Sequence, residues 1–217
     1  AAAWRPYRGS LHGLAAGLAF RQATSDARPG GHAFSTALAV DLRASDMLHV
    51  LEQVASSGLL DPSCQLVWSR PVGDDVPSTA LRYFLYHKWN AMRDFYCVCH
   101  CGRAGEPGEG SSSCCATGGA EARRLGMPQY TYAIMSITPK SFASSGFPPD
   151  MEGAEHGYIH VCGVTISALD MNRTSIEIMA DVDMAAPNTP VWAVDREVRL
   201  RVNRIAKTLL HTSKIEQ

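Results

Sequence analysis

The side chains best equipped for covalent or metal chemistry in this chain are seven cysteines and eight histidines. Cys97, Cys99 and Cys101 alternate along one stretch with His100 among them, and Cys114-Cys115 follows. A structural zinc needs ligands that converge on a tetrahedron, commonly through a Cys-x-x-Cys turn. No such pair occurs here, and alternate residues of a strand extend in a line instead of converging. The cysteines read as small buried strand thiols, and no metal site is expected. An odd number of thiols in a chain too long to need disulfide staples points to reduced cysteines and a cytoplasmic setting. Hydrolysis by a nucleophile requires a base and an orienting group beside it. The histidines are scattered, no Gly-x-Ser-x-Gly elbow is present, and Ser144-Ser145-Gly146 reads as a loop. Walker and Gly-x-Gly-x-x-Gly patterns are also absent, so neither catalytic residues nor a cofactor are expected from motifs.

The elements that must position these groups are bounded by composition. The 217 residues suit one domain that buries roughly 70% of its extended surface. Apolar residues make up 46% and charged residues 19%, which excludes wholesale disorder. A net charge of −1 argues against a nucleic-acid binder held by phosphate neutralisation. No window of about 18 apolar residues provides a transmembrane helix. Leu11–Phe20 is too short and Gly-rich for a signal peptide, and the start at Ala1 points to processing or excision from a longer polypeptide. Asn172-Arg173-Thr174 reads as a turn between strands.

Apolar alternation predicts strands at Gly17–Thr24 and Phe34–Leu42, separated by the breaker 26–31. Ser45 is placed to cap a helix to about Ser57, with Leu48, Leu51, Val54 and Ala55 on one stripe. Period-two patterns then mark Cys64–Pro71, Ser78–Lys88 and Arg93–Cys101. Residues 102–128, rich in Gly, Ser and Glu, read as a flexible insertion. Strands resume at Tyr130–Thr138, His156–Leu169 and Thr174–Met184. Thr189-Pro190 then opens a helix expected to run to about His211. Its Val191, Val194, Val198, Val202, Ile205 and Leu209 recur at spacings of 3, 4, 4, 3 and 4, a single apolar face, with Arg196, Arg199, Arg201, Arg204 and Lys207 outside it.

Several of these segments carry a family pattern. Arg93-Asp94-Phe95-Tyr96, then Tyr132-Ala133-Ile134-Met135-Ser136, then Gly157 to Gly163 follow in order. Leu169-Asp170 leading to Arg173-Thr174, Ile178 to Met184, and Pro190-Val191-Trp192-Ala193-Val194 complete the series. Together they resemble the START (StAR-related lipid transfer) family over residues 14–212, most strongly from 78 onward. The resemblance implies an α+β helix-grip fold of the Bet v 1-like type. In it a curved antiparallel sheet wraps a long C-terminal helix and leaves an internal hydrophobic cavity. It also implies a single domain spanning 1–217, monomeric, that binds one phospholipid, ceramide or sterol and moves it between membranes through transient surface contact. A lipid-sensing regulatory domain of a larger protein is the alternative, and a cyclase-type enzyme with Tyr158, His160 and Asp183 as acid–base groups is another.

On the inward face the resemblance places Arg93, Phe95, Cys97 and Cys99, with Arg93 available to a phosphate or hydroxyl head. Ala133 and Met135, then Ile159, Val161 and Gly163, then Val198, Val202 and Ile205 on the helix complete the expected lipid-binding set. Cholesterol-binding members have an inward arginine where this chain has Cys99, paired with an acid on the preceding strand. Here that strand's charge is Arg82, a departure from the sterol pattern. The loop 88–92, with Trp89 and Met92 beside Lys88, is the expected membrane contact.

Overall fold

A computed structural model of the chain describes residues 3–8, 18–26, 28–58, 60–72, 79–89, 91–103, 129–137, 152–186 and 188–215. Cys114, Cys115, Ser144–Gly146 and all of the 102–128 insertion after Arg103 lie outside the described residues.

Among the described residues, ten strands form one sheet. They are β1 (Arg5–Pro6), β2 (Ala19–Thr24), β3 (His32–Val40), β4 (Cys64–Pro71), β5 (Thr79–Lys88), β6 (Ala91–Arg103), β7 (Gln129–Ser136), β8 (Ala154–His156), β9 (Tyr158–Ala168) and β10 (Thr174–Asp183). Helix α1 (Ala44–Ser56) follows β3, and α2 (Val191–Ile215) closes the chain. The sheet order is β1-β2-β3-β10-β9-β7-β6-β5-β4, antiparallel throughout, with β8 joining β6 in parallel beyond the end of β7. The segment 156–169, expected as one strand, is thus two, divided at Gly157. Ser45 does not cap α1 either: Arg43 holds that position without a side-chain bond, and Ser45 Oγ turns to Asp46.

Both faces of the β5–β6 hairpin are occupied. Phe84 pairs Phe95 and Tyr86 pairs Arg93 on the inner face. Tyr83, Leu85 and Tyr96 form a second cluster outside, with Trp68, Met92 and Ile137 against it. Such two-sided burial raises the apolar content of a strand without any membrane span to explain it. Among the described residues no helix is long and apolar enough to cross a membrane.

The inner face of the sheet holds α2, which packs on β3 and β10, while α1 lies against α2 and against β7 and β9. Val194, Val198, Val202, Ile205 and Leu209 are buried as the spacing predicts, but so are Glu197, Arg199, Arg201 and Asn203. Gripped from several directions, the helix encloses Arg199 and Arg201 outside its apolar stripe, while Arg196 and Lys207 remain exposed.

Close approach of β7 and β9 explains one glycine. Gly163 pairs Ala133, and a Cβ at 163 would lie 2.9 Å from the Tyr132 carbonyl oxygen. A backbone atom cannot swing aside, so Gly163→Ala should cost about 1–3 kcal/mol of stability. Urea denaturation that left the midpoint unchanged would show the strands free to separate.

Candidate functional site

The inner face of β6 follows its alternation. Arg93, Phe95, Cys97 and Cys99 are all buried there. The next two strands depart from the expected parity. In an antiparallel pair, directly opposed residues share a face. Cys97 opposes Ser136, Cys99 opposes Ile134 and Cys101 opposes Tyr132, so the even residues of β7 face inward. Tyr132 and Ile134 are in the core, whereas Ala133 is half-buried and Met135 is 49% exposed. On β9 a bulge opposes the single residue Asp181 with one residue too many, between Ile159 and Val161. Ile159 stays inward, but the inward set then passes to Cys162, Val164 and Ile166, leaving Val161 and Gly163 on the outer parity. The helix residues Val198, Val202 and Ile205 are in the core.

The acid–base set does not converge on the interior. Tyr158 opposes Asp183 at the sheet's end, and Asp183 accepts the Ala185 amide. His160 faces the exposed Asp26 at 4.0 Å.

What sequence reading missed is a buried ionic cluster between α2 and the end of α1. Glu197, Arg201 and Arg204 recur at spacings of 4 and 3, a second stripe on the same helix, and Asp61 meets them from the turn before β4. Asp61 Oδ1 accepts from Arg204 Nε at 2.9 Å and from Ser63 Oγ at 2.6 Å, and Oδ2 lies 3.2 Å from Arg201 Nε. Glu197 Oε1 accepts from Tyr86 Oη at 2.5 Å and from Arg204 at 2.9 Å, and Lys88 reaches Oε2 at 3.0 Å. Burial would push the Asp61 carboxyl up, but Arg201 and Arg204 beside it hold it below the ordinary value. Glu197 is likewise driven up by burial and brought below its ordinary value by Tyr86, Arg204 and Lys88. Burial pushes the Cys64 thiol up to about 12 and Cys99 to about 11, so these are neutral thiols, not nucleophiles.

Three hollows lie around this cluster. The mouth, about 230 Å³, lies between Lys88-Trp89 and the first turns of α2, where Trp192, Arg196 and Glu197 line it. An inner cavity of about 20 Å³, space for about one water, is bounded by Asp61, Cys64, Phe84, Ile134, Arg201 and Ile205. A groove of about 420 Å³ opens between α1 and the strands β5–β7 at Glu52, Ala80, Arg82, Cys99 and Cys101. Glu197 borders the mouth and belongs to the ionic cluster; Ala55 and Tyr132 border both inner cavity and groove. Arg82 ties that partition together by donating to the Ala55 carbonyl and, at 3.0 Å, to Tyr132 Oη. The described residues therefore do not enclose one continuous tunnel.

At the mouth, Trp89 takes φ +53 in the two-residue turn between Lys88 and Ala91, where Asn or Gly is usual. The Arg93 guanidinium lies 5.2 Å from its ring centroid. Met92 is half-buried and packs on the outer cluster. Trp192, 69% exposed, was not expected among the contacts, although its place opposite Trp89 supplies the second aromatic.

A sheet of this order gripping a terminal helix has many solved counterparts. The fold is START-like. Human StAR-related lipid transfer protein 5 superposes with a TM-score of 0.64 at 14% identity, over 98% of this chain and 86% of its own. Human STARD10 gives 0.64 at 14% over 97% and 72%, and a STAR-related lipid transfer protein from Xanthomonas axonopodis 0.60 at 14% over 99% of each. No family model and no curated protein sequence matches the chain.

Proposed function

We propose that this protein binds a single lipid between the sheet and α2 and carries it between membranes, without chemical turnover. The observation that carries this reading is the group of hollows around the ionic cluster: the mouth and the α1 groove open at the surface, and the water-sized inner cavity lies between the layers. Small-ligand sites are concave and largely apolar, and these hollows lie where the sheet, α1 and α2 meet. What separates them is side chains: Glu197 and Arg204 on one side, Arg82 and Tyr132 on the other. The START-like fold over nearly the whole chain supports the same reading.

A lipid chain contributes about 0.8 kcal/mol per buried methylene, so leaving a bilayer for water is prohibitive while leaving it for an apolar interior is nearly neutral. Trp89 and Trp192, flanked by Lys88 and Arg196, give the mouth the aromatic and basic character of an interfacial contact. The five described cysteines are free thiols, which suits the cytoplasmic side of a membrane.

The test is mass spectrometry of organic extracts from purified protein, coupled to transfer of labelled lipid between vesicles. One lipid per chain and accelerated transfer are expected. A protein that extracts empty and moves no phospholipid, ceramide or sterol would end this reading. Trp192→Ala, which removes a largely exposed ring, should weaken vesicle partition about tenfold. Unchanged partition by flotation would place the membrane contact elsewhere.

A further inference from the structure

We infer that Arg201 receives the polar head of the bound lipid, and that this head is an acceptor-only anion, a carboxylate or a phosphate monoester. The inference rests on the lipid-binding reading and adds the class of ligand.

Of the inward arginines at the seam between the layers, Arg82 and Arg204 each keep one unmet nitrogen, whereas Arg93 and Arg201 stand at opposite extremes. Arg93 is saturated: its Nε donates to the Met184 carbonyl at 2.5 Å, Nη1 to Lys88 at 2.5 Å and to Ala91 at 3.2 Å, and Nη2 meets Glu155 at 3.4 Å. It serves as a brace for the mouth, with each of its nitrogens engaged. Arg201 is 3% exposed, yet its Nε and Nη1 make no hydrogen bond among the described residues. Nε lies 3.2 Å from Asp61 Oδ2, within ion-pair distance but outside hydrogen-bond geometry. A buried guanidinium donor left unmet costs on the order of 1–3 kcal/mol, and these donors border the inner cavity.

Charge selects the partner. Among the described residues, Lys88, Arg201 and Arg204 face two carboxylates, Asp61 and Glu197. One more negative group balances the cluster. An anionic acceptor also forms the stronger, charge-assisted bond to a guanidinium, whereas a hydroxyl does not and a quaternary ammonium would meet Arg204. Leu60, Phe84, Ile134 and Ile205 supply apolar wall beside these donors, against which the first part of an amphiphile's chain would pack once the layers part.

The experiment compares oleate with oleyl alcohol, equal in chain and different in head, by displacement of a bound fluorescent lipid. The wild-type protein should prefer oleate by about tenfold or more, the worth of one charge-assisted bond. Arg201→Met should bring the two ligands within about twofold, and Arg201→Lys should keep part of the preference. Should Arg201→Met not fold, Arg201→Lys carries the comparison. Equal binding of both ligands to the wild type overturns the inference and leaves the lipid reading standing, as does a preference that survives Arg201→Met. Acetate or inorganic phosphate competing as well as oleate would make this a free-anion site and overturn the headgroup assignment. Binding of no amphiphile at all defeats the lipid reading and this inference with it.

Discussion

Asp61→Ala should lower the unfolding free energy by about 3–5 kcal/mol, the cost of stripping one partner from a buried ion pair. The carboxylate is 5% exposed and sits between Arg201 and Arg204. Without it Arg201 keeps its charge in a buried site with no carboxylate beside it, and Arg204 falls back on Glu197 alone. Ser63 loses both of its bonds to Asp61, so the turn leading into β4 loosens as well. The double replacement Asp61→Leu with Arg201→Met removes both charges and should recover most of the loss, since apolar residues commonly replace a buried pair at little cost. Urea midpoints decide the matter. An Asp61→Ala midpoint equal to wild type would mean that water reaches the cluster and screens it.

Acidification should unfold the protein through the same cluster. Asp61 and Glu197 both titrate below their ordinary values when folded. A carboxyl with a depressed folded pKa binds fewer protons folded than unfolded. Its stabilisation is complete above the unfolded values, 3.8 for Asp and 4.5 for Glu, and disappears as pH falls through the folded ones. Melting temperature at low salt should thus be level from neutrality to about pH 5 and fall steeply below. Glu197→Gln should flatten that fall, because Tyr86 and Lys88 would then face an amide that does not titrate there. A wild-type melting curve level down to pH 3 would contradict the prediction, as would an acid slope identical in Glu197→Gln.

The architecture was legible where periodicity was long. The six apolar positions of the last helix, spaced by 3 and 4, define it from end to end, although it continues past His211 to Ile215. Strand existence was equally plain: Cys64–Pro71 coincides with its pattern, and β5 and β6 begin within two residues of theirs. Facing was legible on β6 and not on β7 or β9. Register between β6 and β7 is set across a long intervening segment, and a slip of one residue exchanges Ala133 for Ile134. The bulge opposite Asp181 does the same to Val161 and Gly163. Neither leaves a mark in hydropathy.

The ionic cluster escaped for another reason. Hydropathy assigns an arginine to water, and only the curvature of the sheet around α2 decides that Arg199 and Arg201 are enclosed. A signal was nonetheless present. Glu197, Arg201 and Arg204 share one side of the helix at ion-pair spacing. An oppositely charged stripe so near an apolar one is what a helix buried on more than one side requires.

The centre of the sheet has a bearing on how the protein comes to exist at all. There β3 lies against β10, with Phe34 opposite Ala180 and Val40 opposite Thr174. Every strand from β4 to β9 belongs to a loop that must close before those two meet, and α2, which seals the inner face, is made last. Long-range pairing of this kind folds slowly, and its entropic cost falls early while its contacts arrive late. A growing chain at the ribosome holds β2–β3 with an unpaired edge until β10 has emerged. During that interval the apolar inner face has no partner of its own. Synthesis of this protein is therefore where a chaperone, or a lipid already on hand, has the most to contribute.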